Sequence, residues 1–206
     1  MMDRIKKLGG HARFAGRYEI AMYVSLFRWI ARRPAVPHGS RRFTYHKLVT
    51  PVLALWIFAS AAEIPLFHVI TPWASVRILL LAISVWGLLW MLGYFASLRV
   101  YPHSASDTTL TVRSGALTRI DLPWEAIESV KQTRRDIEGR SARVEDETLL
   151  LPINGQVNVL VTLRAERDLR LPRRTVTATK VALWADDPKD LVAAAAPTAV
   201  TGRSRG

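Results

Sequence analysis

The sequence predicts a membrane-embedded helical hairpin joined to a β-rich domain of about seven strands that a C-terminal helix closes. Three observations carry that class. Two nearly uncharged apolar runs, Leu48 to Ile70 and Ile78 to Leu98, lie close together. Positive charge piles up beside the first of them: residues 1–47 hold 11 Lys/Arg against 2 acids, whereas residues 99–206 are close to balanced at 17 against 14. After Arg99 the apolar period changes from helical to alternating, the mark of half-buried strands.

Met1 to Gly16 is basic and aperiodic, so the sequence predicts a flexible tail over 1–16. It holds no apolar segment of the length a secretory signal needs, and none is expected. From Arg17 the pattern turns helical: Ile20, Tyr23, Val24, Phe27, Ile30 and Ala31 recur at helical spacing. Arg17, Arg28 and Arg32 lie off that stripe. With Arg33 and Trp29 they suit an amphipathic helix in the headgroup region, and the alternative is a helix packed on the C-terminal domain. Pro34 and Pro37 end the helix, and the interfacial helix and its linker together cover 17–47.

The first apolar run carries one formal charge, Glu63, and the second carries none. About 20 residues cross a hydrocarbon core of about 30 Å, so both runs are long enough, and 48–98 is read as a two-helix hairpin. Thr71 to Arg77 supplies its turn, with Pro72 and Trp73 suited to the far interface. Arg41, Arg42 and Lys47 flank the first span and Arg99 follows the second. The positive-inside rule therefore predicts a two-span protein of the cell inner or plasma membrane with both termini cytoplasmic. The same placement of charge favours anionic lipid over nucleic acid as the reason for basicity.

Residues 99–196 read as one β-rich cytoplasmic unit. Leu110 and Val112 alternate with polar neighbours, Ile120 and Leu122 follow a turn at Ser114-Gly115, and Val157 to Leu163 follow a turn at Asn154-Gly155. Arg99 to His103, Ile127 to Arg134, Glu147 to Pro152 and Thr175 to Trp184 complete the strands. Arg134 to Asp146, which includes Arg140, reads as a charged surface loop. Asp186-Asp187-Pro188 is a helix start with a capping carboxylate. The helix is expected to end near Ala196, and 197–206 reads as disordered.

One local pattern goes further. Leu110-Thr111-Val112, Gly115, Pro123-Trp124, Ile127 and Val130 resemble the bacterial pleckstrin-homology-like family of membrane-tethered domains, over about Leu98 to Ala196. That resemblance implies a partly open seven-stranded barrel with a C-terminal helix at one end, on a scaffold used for binding lipids, peptides or partner subunits. Family members that bind phosphoinositides place basic residues in the first hairpin loop. Here His103 to Thr108 holds no Lys or Arg, which favours a protein partner. The whole chain is also similar to membrane proteins of high-GC bacteria, a likeness that implies no function.

Candidate chemistry is sparse. There are no cysteines, so disulfides, thiolate metal sites and cysteine nucleophiles are excluded. His11, His38, His46, His68 and His103 show no metal-ligand spacing, Gly9-Gly10 and Gly16 make no dinucleotide fingerprint, and no catalytic motif or cofactor site is found. Glu63 stands out because an intramembrane carboxylate is costly. Glu63, His68 and Arg77 form a candidate polar site for protons or an anion, although Glu63 and His68 do not share an ideal helix face. The alternative is that Glu63 bonds Ser60 or Ser84 and stabilises the hairpin or a homo-oligomer. Trp86, Trp90 and Tyr94 form a stripe suited to packing or to ligand stacking, and Gly93 with Ser97 is a small-residue pair. Arg17, Arg28, Arg32, Arg33, Arg41, Arg42, Lys47, Arg134 and Arg135 are candidate contacts to the membrane surface or a partner. The expected function is a membrane-anchored binding module that docks a partner protein or lipid. The competing reading is a small transport or proton-handling subunit.

Overall fold

The computed structural model describes residues 2–37, 39–139 and 141–201, with side chains described for 13–37, 39–139 and 141–195. His38, Arg140, the His11 side chain and residues 202–206 lie outside them. The chain divides into two compact units. A helical unit holds residues up to Pro34 together with Thr50–Val100. A β unit holds Ala35–Val49 together with the chain from Tyr101 onward.

In the helical unit α1 spans Met2–Ile30, α2 Thr50–Ile70 and α3 Ala74–Val100. Both α2 and α3 are long and apolar enough to cross a membrane. At 1.5 Å per residue they measure about 30 and 40 Å. The turn between them is shorter than the sequence suggests, because Arg77 already lies in the first turn of α3 and its N–H donates to Trp73 O at 2.9 Å. The α2 helix continues through Pro65, whose missing N–H leaves one backbone acceptor unused.

The expected flexible tail over 1–16 gives way to helix. Helix α1 begins at Met2, since no proline interrupts residues 2–33 and the glycines there cost only about 1 kcal/mol each. It packs along α3. Met22 and Ser25 are fully buried in that seam, Tyr18 meets Trp90 at 5.9 Å, and Trp29 sets its edge on Phe95. Gly93 makes the approach possible, because a Cβ there would come within 2.8 Å of the Met22 carbonyl oxygen. The helix ends when Arg32 adopts a left-handed conformation (φ 53°), with Arg33 N–H bonded to Arg28 O.

The β unit is built from two sheets. The first has the order β1 (Arg41–Phe43), β2 (His103–Ala105), β3 (Thr109–Ser114) and β4 (Thr118–Pro123), all antiparallel. A short 3-10 turn, Trp124–Ala126, leads to the second sheet. That sheet contains β5 (Ile127–Asp136), β6 (Arg143–Glu145), β7 (Thr148–Leu151), β8 (Gln156–Arg170) and β9 (Thr175–Leu183), in the order β5-β8-β9-β7-β6. Among the described residues only β7 and β9 run parallel. No strand pairing joins the sheets, so among the described residues there is no closed barrel. Helix α4 (Pro188–Thr201) packs on β5. Asp187 caps it by accepting from Asp190 N–H at 3.1 Å, and it runs past the expected end near Ala196.

The core lies between the sheets. Leu110, Val112, Ile120 and Leu122 from the first meet Leu149, Val159, Val161, Val181 and Leu183 from the second, with Leu191 of α4 added. Each such side chain contributes about 1.5–3 kcal/mol by leaving water.

The sequence-based boundaries need correction at β1. Residues 35–47 are not a free linker: Arg41–Phe43 forms an edge strand paired with β2, Phe43 opposite His103. Thr44 O accepts from Asp186 N–H, and the Asp186 carboxylate accepts from the backbone N–H groups of His46 and Lys47. Tyr45 is fully buried. The membrane hairpin is thus an insertion between the first and second strands of one sheet. Two further boundaries move. The strand expected at Arg99 to His103 starts at His103, because α3 continues through Val100. The expected loop 134–146 contains the end of β5 and all of β6.

Candidate functional site

Two places collect the chemistry, one in each unit. In the helical unit α2 and α3 flank an open groove of about 540 Å³, lined by Ser60 and Glu63 from α2 and by Ser84, Trp86, Gly87, Trp90 and Met91 from α3. The apolar sequence of both helices places this groove at membrane depth, where a carboxylate is a costly group. Glu63 is exposed, and among the described residues no hydrogen bond or ion pair engages it. Ser60 and Ser84 share the groove without bonding it. His68 is exposed in the last turn of α2 and Arg77 is half-buried at the start of α3. No hydrogen bond or ion pair among the described residues joins either to Glu63.

The aromatic side chains of the groove are held from behind by α1. The Trp86 indole N–H donates to Glu19 Oε1 at 3.0 Å, and Tyr23 O–H donates to the same oxygen at 3.2 Å. Trp90 stacks on Tyr94, with ring planes 12° apart, and also meets Tyr18. Glu19 is a functional candidate that sequence reasoning missed. The signal was present as an acid within the amphipathic stretch from Arg17 onward, but its partner is 67 residues away in the chain. Gly87 differs from Gly93, for a Cβ at Gly87 would meet nothing within 4 Å. Its smallness serves no close contact among the described residues.

In the β unit the outer face of the second sheet carries a concavity of about 320 Å³. Leu150, Val157, Leu160 and Ala182 floor it, and Thr133, Arg135, Asp146, Thr148 and Lys180 rim it. Arg135 lies 3.7 Å from Glu145, a weak exposed pair. Beside the rim, Asp146 and Glu147 both take positive φ (46° and 58°) to make the two-residue β6–β7 turn. That conformation is strained for a glutamate. It is held by Thr179 and Lys180 N–H groups, both donating to Glu147 O.

A buried polar cluster supports the first sheet. His103 accepts from Arg113 N–H at Nδ1 and bonds Trp184 O through Nε2, which assigns the neutral tautomer with its proton on Nε2. Its ring packs against Tyr45 at 4.6 Å, and the Tyr45 hydroxyl oxygen accepts from Gly115 N–H. Burial lowers the His103 pKa to about 4, outweighing the opposing effects of the Trp184 bond and Asp186. Asn158 is likewise satisfied by both backbone groups of Ala185. These groups are structural.

The basic residues of interest separate. Arg17, Arg28, Arg32 and Arg33 belong to α1 and its end, while Arg41, Arg42, Lys47, Arg134 and Arg135 belong to the β unit. Arg41 pairs with Asp190 at 2.6 Å, and the others in the β unit are exposed. Among the described residues no cluster of three or more His, Asp or Glu is placed to hold a metal. Compared with protein-family models, curated proteins and solved structures, the chain matches none.

Proposed function

We propose that the chain is a membrane-anchored binding module that docks a partner protein at the cytoplasmic membrane face through its β unit. The β1–β2 pairing carries this reading. A hairpin that leaves the β unit at Val49 and returns at Tyr101 begins and ends beside strands paired to each other. Both its ends then meet one membrane face, and the domain is tethered there by two chain crossings instead of one. Arg41, Arg42 and Lys47 mark that face as cytoplasmic by the positive-inside rule.

The two sheets and closing C-terminal helix support the pleckstrin-homology-like reading, although no pairing joins either edge of one sheet to the other among the described residues. Such a fold supplies a surface and implies no reaction. The outer concavity of the second sheet is the best surface. Its apolar floor and the basic rim of Arg135 and Lys180 suit an extended acidic segment of a partner, with an anionic lipid headgroup as the alternative ligand. The competing transport reading now rests on Glu63 alone, since His68 and Arg77 make no interaction with it.

The test is charge reversal on the rim. Tagged protein is extracted gently from its native membranes, alongside the double variant Arg135→Glu, Lys180→Glu. A stoichiometric protein partner lost only from the variant, with the unfolding midpoint unchanged, supports the module. A partner indifferent to the reversal, or protein recovered alone in both cases, defeats it.

A further inference from the structure

We propose that the groove between α2 and α3 binds a lipophilic organic cation, with Glu63 as its counter-ion and Trp86 as its aromatic contact. The inference is independent of the role proposed for the β unit and rests only on the helical unit.

The first ground is Glu63. A membrane-depth carboxylate is normally turned to a partner or a water-filled cavity, because lipid solvates it poorly. Here it lines a groove and no group among the described residues engages it. The ligand that answers this is positively charged.

The second ground is the shape and lining of the groove. About 540 Å³ falls in the range of small-molecule sites, well above what a bare metal ion or a water occupies. The lining holds one acid and two hydroxyls among mainly apolar and aromatic groups, and no basic side chain. An inorganic ion would find too few oxygens there. A cation shielded by apolar substituents finds a counter-charge, aromatic rings and hydrocarbon walls together.

The third ground is preorganisation. Trp86 is fixed through its indole N–H by Glu19, yet among the described residues its ring packs on no other ring. Trp90 is braced by Tyr18 and Tyr94. Glu19 is thus a positioning residue, already occupied by two donors, and Glu63 is the carboxylate left over. Gly87 leaves open space at the groove floor, in contrast to Gly93, whose close packing against Met22 leaves no room for a side chain.

The experiment uses the full chain in lipid nanodiscs and tetraphenylphosphonium as probe, read by tryptophan fluorescence and equilibrium dialysis. Saturable binding by the wild type is expected, weakened at least tenfold by Glu63→Gln and abolished by Gly87→Leu, which fills the floor while leaving the carboxylate. Glu19→Gln should weaken binding severalfold and blunt the fluorescence change, because Trp86 loses its charged acceptor. Triphenylphosphine oxide, neutral and similar in shape, should not saturate. Hydrogen exchange of α2 and α3, unchanged in the variants, excludes loss of fold as the cause. Equal binding by Glu63→Gln, or binding of the neutral analogue as tight as that of the cation, overturns the proposal. So does a wild type that fails to bind the cation and instead forms a dimer broken by Glu63→Gln, for then the groove is a contact between two copies.

Discussion

The helical unit and the β unit follow opposite rules about what stands at the surface and what is buried. In α2 and α3, Leu55, Phe58 and Ile78 are 67%, 72% and 66% exposed, and α2 buries no residue at all. In the β unit, Val144 is the one large hydrophobic side chain among the described residues that stands exposed. Polar groups show the reverse. The β unit buries His103 and Asn158 with both hydrogen-bonded to backbone, leaving only the Ser40 hydroxyl and the Trp184 indole N–H buried there without a partner among the described residues, whereas the helical unit leaves the charged side chain of Glu63 without one. The contrast follows from solvent. Lipid accepts any apolar side chain and tolerates few polar ones, while water reverses both preferences. An unpaired polar group therefore means little on the β unit's surface and a great deal on the hairpin.

Truncating large aromatic residues gives the sharpest test of that contrast. Tyr45→Ala opens a cavity beside His103 and strands the Gly115 N–H, and should cost the β unit about 3–5 kcal/mol. Phe58→Ala removes a similar volume from a lipid-facing position and should change β-unit stability by less than about 0.5 kcal/mol. Denaturant unfolding in mild detergent, followed by near-ultraviolet circular dichroism, measures both. Equal losses would break the distinction between the units.

A second difference lies in pH. The His103 pKa is about 4 in the folded β unit against 6.5 when unfolded, so the unfolded chain binds more protons between those values. Stability from the neutral ring is complete above pH 6.5 and falls as pH drops toward 4, by about 3 kcal/mol in all. Unfolding curves at pH 7.5 and 4.5 should differ by most of that amount, and His103→Gln should flatten the dependence while lowering stability at neutral pH. A wild type equally stable at both values would show that His103 is not held neutral.

How much of this was legible follows the same division. The spans announced themselves because an uninterrupted apolar run needs no long-range partner to be recognised. The long strands were visible through alternation, as in Val157 to Leu163, and through the Asn154-Gly155 turn. Strand β1 was not. It has three residues, two of them exposed arginines, and it lies among Pro34, Pro37 and Gly39, which read as linker; only its pairing with β2 across the inserted hairpin makes it a strand. The β6–β7 turn was hidden because Asp146-Glu147 lacks the glycine such turns favour. In the groove, Glu63 stood out alone, and Trp86 and Trp90 stood out as a stripe. Their meeting across two helices, and the bracing by Glu19, depend on packing that no local spacing encodes.

Packing within the helical unit can be separated from its membrane fit through two glycines. Gly93→Ala sets a methyl against the Met22 backbone, which cannot move aside as a side-chain tip would. A loss of about 1–3 kcal/mol in the α1–α3 contact is expected, seen as faster hydrogen exchange across Tyr18 to Trp29. Gly87→Ala meets nothing within 4 Å and should leave that exchange unchanged. If both variants behave alike, small residues on α3 serve the helix itself and not a seam.

The smallest effect concerns strain in the β unit. Glu147 holds a left-handed φ of 58°, which costs a side-chain-bearing residue about 1–2 kcal/mol. Glycine removes that cost but gives back part of it through greater freedom in the unfolded chain, about 0.5–1 kcal/mol. The backbone oxygen that accepts from Thr179 and Lys180 is retained, and the lost side chain gives up one exposed hydrogen bond from the Thr179 hydroxyl. Glu147→Gly should therefore stabilise the β unit by less than about 1 kcal/mol, read as a small rise in the unfolding midpoint. Strain kept at a turn where glycine would serve better suggests that the side chain is wanted for something other than folding. Beside the Arg135 and Lys180 rim, its carboxylate opposes an acidic partner segment and so limits binding to the best-matched one, and the same variant should bind that partner more tightly as it becomes more stable. A variant that gains stability and binds its partner unchanged would assign Glu147 to the turn alone.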